Sequence, residues 1–175
     1  MKRACGVLLP VFSLPGNYGI GSFSVKAYEF VDTLRKAEQT YWQILPLGPT
    51  GYGDSPYQAF SAFAGNPYFI DLDALFREGL LEKNEIEEAD FGQGDPSHVD
   101  YLKLYQNRFT LLGKACGRSH FEQEEAYQRF AEENAFWLDD YALFMGHPLV
   151  KNNLFRYTRS KRRRPADGQT EAKYH

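Results

Sequence analysis

The sequence predicts an α/β fold: a strand–helix–strand opening, a long shaped loop, and then a helical stretch. Three observations predict it. Two short apolar runs, residues 4–9 and 41–45, are each stopped by a proline (Pro10, Pro46) and flank one amphipathic segment. At that spacing the two strands run parallel, joined by a helical crossover. Residues 45–68 hold four glycines, four prolines and five Tyr or Phe, with a single charge at Asp54. Neither a helix nor a central strand tolerates that Pro/Gly density. Past Gly79, apolar residues recur at helical spacing.

In order along the chain, residues 4–9 read as a short buried strand, and a glycine-rich loop follows over 13–21. Ser22 or Ser24 can cap a helix running to about Glu38. Its residues Ala27, Phe30, Val31 and Leu34 fall at i, i+3, i+4 and i+7, one buried stripe. Arg35 and Lys36 sit in the last turn, where the helix dipole favours cations. Residues 41–45 form the second buried strand, in which Trp42 is read as core packing. After the long loop, 68–72 is expected as a further short strand and 73–78 as a helical turn. Leu102, Tyr105, Phe109 and Leu112 mark one amphipathic helix. Tyr127, Phe130, Ala131, Leu138, Tyr141 and Met145 mark a longer one. Three regions result: 1–78, 79–145 and a basic tail, 146–175.

Composition narrows the function classes. Apolar content of 43% supports a globular core, and no 18-residue apolar run suggests a membrane span. The first residues do not make a signal peptide, because the apolar run is short and Pro10 interrupts it. Cys5 and Cys116 are isolated thiols, as expected of a reduced cytoplasmic protein. The four histidines lie far apart, at no metal-ligand spacing, so no metal site is expected. The net charge is −3 overall and +6 in the tail (eight Lys/Arg against two Asp/Glu), so the body carries −9. An acidic body argues against nucleic-acid binding. A nucleotide fingerprint is also excluded. Gly16, Gly19 and Gly21 are spaced G-x-x-G-x-G, the reverse of the phosphate-binding order, and no acidic residue ends the second strand.

The long loop is the candidate site. A loop of this length inside a compact domain is usually functional. Flat rings beside Ser, Asp, Asn and Gln suit a sugar, whose C–H faces stack on aromatics while its hydroxyls need donors and acceptors. The competing reading is that the rings only pack the loop onto its scaffold. Asp54, Asp71 and Asp73 have a plainer reading as turn-forming or capping carboxylates.

The same loop carries a resemblance. Leu45-Pro46-Leu47-Gly48-Pro49-Thr50-Gly51, Tyr52-Gly53-Asp54-Ser55-Pro56-Tyr57 and Ala64-Gly65-Asn66-Pro67-Tyr68 resemble the N-terminal part of the 4-α-glucanotransferases. These are the amylomaltases or disproportionating enzymes of the α-amylase-related glycoside hydrolase superfamily. Further likeness lies at Gly6-Val7-Leu8-Leu9-Pro10, Tyr18-Gly19-Ile20-Gly21, Tyr41-Trp42-Gln43 and Trp137-Leu138-Asp139-Asp140-Tyr141. It is expected to end after Met145.

The resemblance implies the first β/α units of a TIM-type barrel, then a helical insertion subdomain, with the barrel incomplete. It implies transfer of α-1,4-glucan segments between maltodextrins by a retaining double displacement, without a cofactor. Such enzymes use two carboxyls about 5–5.5 Å apart. In this family they and a third Asp lie on later barrel strands, and none matches a position here. What carries over is substrate binding. Ser55 and Tyr57 inherit the family's Ser-Pro-Tyr, Tyr57 offering a ring face and Ser55 a hydroxyl, with Tyr52 and Asp54 as neighbours of weaker claim. The partners implied are α-1,4-glucan oligosaccharides and the missing C-terminal part of the enzyme. The tail reads as non-native, as a frameshift or truncation would produce, and as disordered. The isolated chain is expected to be poorly stable and inactive. The alternatives are a non-catalytic glucan-binding fragment or half of a split enzyme.

Overall fold

The structure is a computed structural model and describes residues 3–50, 54–92 and 97–145. Tyr52 and the basic tail, with the expectations attached to them, lie outside the described residues.

The opening βαβ unit forms. Strand β1 (Gly6–Leu8) pairs in parallel with β2 (Tyr41–Gln43), with Gly6 opposite Tyr41, Val7 opposite Trp42 and Leu8 opposite Gln43. Helix α1 (Val25–Lys36) makes the crossover, and Ser24 caps it by accepting a hydrogen bond from the Lys26 N–H at 3.3 Å. Both strands are shorter than expected, and neither is buried. Leu8 is 57% exposed, Tyr41 64% and Val31 of α1 48%. Two strands covered on one face by one helix leave the other face and both outer edges open, so apolar character alone does not bury them. Trp42 is half-buried and packs edge-on against Phe30, with ring centroids 5.0 Å apart. Its Nε1 donates to the Leu9 carbonyl at 2.7 Å, in keeping with the packing role read from the sequence.

The expected strand at 68–72 is absent. Pro67–Phe69 is a 3₁₀ turn capped by Asn66, whose side chain accepts from the Tyr68 N–H at 3.0 Å. Helix α2 (Leu72–Arg77) starts at once, capped by the Asp71 carboxylate, which accepts from the Asp73 N–H at 3.2 Å. Proline's fixed φ and two adjacent Asx caps outweigh the β-propensity of Tyr68, Phe69 and Ile70.

Four further helices follow: α3 (Lys83–Glu87), α4 (Tyr101–Arg118), α5 (Glu125–Glu133) and α6 (Ala135–Met145). The single long helix expected over 127–145 is broken at Asn134. Its side chain donates to the Phe130 carbonyl at 2.8 Å and accepts from Trp137 Nε1 at 2.9 Å, ending α5 and starting α6. Helix α4 is amphipathic, but its buried stripe is rotated from the expected one. Leu104, Arg108, Leu111 and Ala115 face inward, whereas Leu102 is 67% exposed and Tyr105 43%. The carboxylate of Glu85 ties α3 to α4 through Lys114 at 3.0 Å and Arg118 at 2.7 Å. Those hydrogen bonds, Arg118 first, hold its carboxyl far below the usual carboxylate range.

The core gathers side chains from both sides of the long loop. Val11, Leu72, Phe91 and Leu104 are essentially inaccessible, and Leu14, Ile20, Phe69 and Leu111 join them. The loop after β1 contributes by doubling back, with the Gly21 N–H donating to the Phe12 carbonyl at 3.0 Å. Gly19 permits this path. Its φ is +75°, and a Cβ there would lie 2.3 Å from the Phe91 carbonyl oxygen. Gly19→Ala should therefore lower the unfolding free energy by at least about 2 kcal/mol, combining left-handed strain with overlap in a packed core. Gly113, inside α4 with open space around it, makes the control: Gly113→Ala should stabilise by about 0.5–1 kcal/mol. Urea unfolding followed by circular dichroism measures both.

Candidate functional site

The long loop leaves the end of β2 at Pro46 and returns at Pro67, and its two ends are tied together. The Asn66 N–H donates to the Leu47 carbonyl at 2.8 Å. Farther out, Thr50 and Ala59 form an isolated antiparallel bridge. Between them the chain turns tightly, with the Gln58 N–H donating to the Ser55 carbonyl at 3.0 Å. Asp54 enters that turn with φ +52°, a conformation Asp tolerates better than most residues.

The structure separates the three candidate residues that it describes, Asp54, Ser55 and Tyr57. Tyr57 is at the tip of the turn and 73% exposed, making no ring contact among the described residues. Ser55 is half-buried beside it. Asp54 points the other way, into a small cavity of about 10 Å³ that it lines with Phe12, Thr50, Pro56, Asn66, Phe69 and Tyr101. That is room for about one water molecule, not a sugar ring. Thr50 Oγ1 donates to Asp54 Oδ1 at 3.5 Å. Burial pushes the Asp54 carboxyl above its ordinary range, while the Thr50 hydrogen bond pulls the other way. Burial, and then the charge of Asp54, also raise the Tyr68 and Tyr101 phenols. Asp54 thus stands in the base of the loop, as the turn-forming reading has it, and Tyr57 stands at its outer face.

The second half of the loop packs on α6. Phe63 stacks on Trp137, with ring centroids 5.6 Å apart, and meets Phe136 edge-on at 5.2 Å. Phe60 meets Phe144 at 5.9 Å. These rings serve the packing role, and Tyr57 is the aromatic of the turn left facing outward.

The remaining acids hold structural posts. Asp71 caps α2, and Asp73 accepts a hydrogen bond from the Tyr18 hydroxyl. That contact follows burial among the causes that push the Tyr18 phenol up to about 12. No group of three or more His, Cys, Asp and Glu side chains capable of holding a metal occurs among the described residues.

Sequence reasoning missed Arg108. It is 1% exposed, and its Nη2 donates to the Ile70 carbonyl just past the loop. Its Nε and Nη1 are buried without a hydrogen-bond partner among the described residues. Each such donor costs on the order of 1–3 kcal/mol. Burial holds the guanidinium down to about 10, against the opposing pull of Asp71. The signal was available: Tyr101, Leu104, Arg108, Leu111 and Ala115 recur at three and four residues, with a charge in the middle.

The family profile described as 4-alpha-glucanotransferase matches residues 9–170. The chain belongs to that family. The match runs past Met145 into the basic tail, farther than the motifs by themselves suggest. Relatives include the 4-alpha-glucanotransferases of Streptococcus pneumoniae strain TIGR4, 56% identical over 87% of this chain, and of Thermus thermophilus, 48% identical over 83%. A solved structure, amylomaltase from Streptococcus agalactiae in complex with acarbose, superposes with a TM-score of 0.74 at 48% identity over 83% of this chain. The chain spans about 30% of the length of the curated relatives it matches, and 29% of that solved chain.

The buried Asp54 carboxyl gives a pH prediction. Its folded-state pKa is raised, so its contribution to stability is fullest below the ordinary value of 3.8 and is lost as pH rises through the folded value. Asp54→Asn keeps a residue suited to φ > 0 but has no charge to bury. It should be more stable than the parent at pH 7, with the difference shrinking toward pH 3. Thermal melts across that range check the sign.

Proposed function

We propose that this chain supplies the substrate-gripping N-terminal part of a 4-α-glucanotransferase, and that Ser55 and Tyr57 line the glucan cleft. The observation that carries the reading is the Ser55–Tyr57 turn, which holds the Tyr57 ring 73% exposed and free of ring contacts among the described residues, while Phe60 and Phe63 of the same loop meet rings of α6. The acarbose named with the Streptococcus agalactiae amylomaltase supports an α-glucan oligosaccharide as the ligand. Tyr57 would stack on a sugar face, and the Ser55 hydroxyl would exchange hydrogen bonds with a sugar oxygen.

The βαβ opening then corresponds to the first β/α units of a TIM-type barrel, whose active face is built by loops leaving the C-terminal ends of strands. The loops after β1 and β2 both leave such ends. The bond-breaking carboxylates belong to the part of the family's length that this sequence does not span. That part would also cover the open face of β1 and β2, where Leu8 and Tyr41 are exposed. The chain by itself grips a glucan and does not cleave it, and the reaction needs no cofactor. No helix among the described residues is long and apolar enough to cross a membrane. We place the protein in the cytoplasm, where two unpaired thiols are stable.

The second reading is a half-enzyme completed by a separately encoded remainder, which the same exposed strand face favours. Mixing with that remainder distinguishes the two, since a split enzyme would then turn over maltodextrin.

Incubation of the 175-residue chain with maltotriose should release no glucose and form no longer dextrins, and turnover would refute the division of labour. Titration with acarbose should show binding, and Tyr57→Ala should weaken it by about tenfold, the equivalent of about 1.4 kcal/mol. Equal binding by the Tyr57→Ala variant would remove Tyr57 from the site.

A further inference from the structure

We propose that Arg108 is a positioning residue for the glucan-binding loop: from the buried stripe of α4 it holds the loop's C-terminal root, and so sets where Ser55 and Tyr57 stand. The proposal rests on the reading of that loop as the glucan lip.

The connection runs through named contacts. Arg108 Nη2 donates to the Ile70 carbonyl, immediately after the Pro67–Phe69 turn. Within that turn the Phe69 N–H donates to the Asn66 carbonyl at 3.0 Å and the Ile70 N–H to the Pro67 carbonyl at 3.3 Å. The three residues before Ile70 therefore move as one piece. Asn66 also closes the loop onto Leu47. Asn66 and Phe69 then meet Asp54 and Pro56, the two neighbours of Ser55, across the small cavity. A shift at Ile70 has a short, packed route to Ser55. Helix α4 reinforces the hold through Tyr68, whose ring lies 5.4 Å from Phe109 and 6.1 Å from Tyr101.

Arg108 is not there for stability alone. It sits on an otherwise apolar stripe and leaves two guanidinium nitrogens, Nε and Nη1, unpartnered among the described residues. An apolar residue of similar volume fills such a position with no charge to desolvate. What it could not do is donate to the Ile70 carbonyl. The guanidinium reaches that oxygen from a neighbouring element while facing Asp71, Tyr68 and Tyr18. Its distinctive contribution is a fixed distance between α4 and the loop root.

The test compares the 175-residue chain with its Arg108→Met and Arg108→Lys variants by amide hydrogen exchange and acarbose titration. Arg108→Met should speed exchange at Gln58, Asn66, Phe69 and Ile70 by about tenfold or more, while Ala27 of α1 and Glu88 after α3 stay within about twofold. Its acarbose affinity should fall by about fivefold or more. Arg108→Lys, whose ammonium can donate to the Ile70 carbonyl, should restore both to within about threefold of the parent. Unchanged exchange in the loop of Arg108→Met overturns the proposal. So does exchange that rises equally in every element, failure of Arg108→Met to fold, or failure of Arg108→Lys to restore the loop. Each of those makes Arg108 a general core residue. If the parent chain itself does not bind acarbose, the glucan reading falls, and the exchange pattern decides the anchor separately.

Discussion

The hydrogen bond from the Asn66 N–H to the Leu47 carbonyl, 2.8 Å long, closes a loop that has almost no regular structure of its own. A segment of this length rich in glycine and proline has a large conformational entropy to lose, and few backbone ladders to offset it. Its order is built from a few closures instead. Leu47 and Asn66 meet at the neck, Thr50 and Ala59 bridge half-way out, and Ser55 accepts from Gln58 at the tip. Rings then fill the sides, with Phe60 and Phe63 set against Phe144, Phe136 and Trp137 of α6. A loop held this way can present an aromatic to solvent without losing its shape. That is what a binding surface for a flat, hydroxylated ligand needs, because ordering done in advance is not charged against affinity.

The scaffold beneath the loop is economical and open. Three-residue strands paired in one register would be marginal in isolation. Here the pair is reinforced by Trp42, which packs on Phe30 and donates to the Leu9 carbonyl. The core that carries the loops lies elsewhere, between the returning loop after β1 and helices α2 to α4, where Val11, Leu72, Phe91 and Leu104 meet. The exposed strand face and the well-filled helical core are two halves of one design. The helical core is filled, while Leu8 and Tyr41 on the strands and Phe136 and Leu143 on α6 stay exposed, in a chain that spans about 30% of the length of its relatives.

Charge is placed with similar economy. Asp71 and Asp73 are used up by a helix cap and by Tyr18. Glu85 is taken by Lys114 and Arg118. Burial strains the Asp54 carboxyl and the Arg108 guanidinium, both near the loop, away from their charged forms. Both stand behind the loop rather than on its face.

The βαβ opening, the capping of α1 by Ser24 and the packing role of Trp42 were legible in the sequence, because proline stops, a serine cap and a helical apolar period are local signals. So was the special character of the loop, since Pro/Gly density and ring content need no partner to be recognised. The absence of a strand after Pro67 was not, because two Asx caps there compete with β-propensity through hydrogen bonds that only the folded path reveals. Nor was the break at Asn134, whose side chain bonds to the helices on either side. The sequence by itself determined the βαβ opening, the shaped loop, the helical character past Gly79 and the family that the chain resembles. Tertiary structure alone decided which faces are covered, that Arg108 turns inward to Ile70, and that Asp54 points into the base while Tyr57 points out. Burial and side-chain direction are set by contacts between residues far apart in the chain, and one-dimensional spacing carries no record of those contacts.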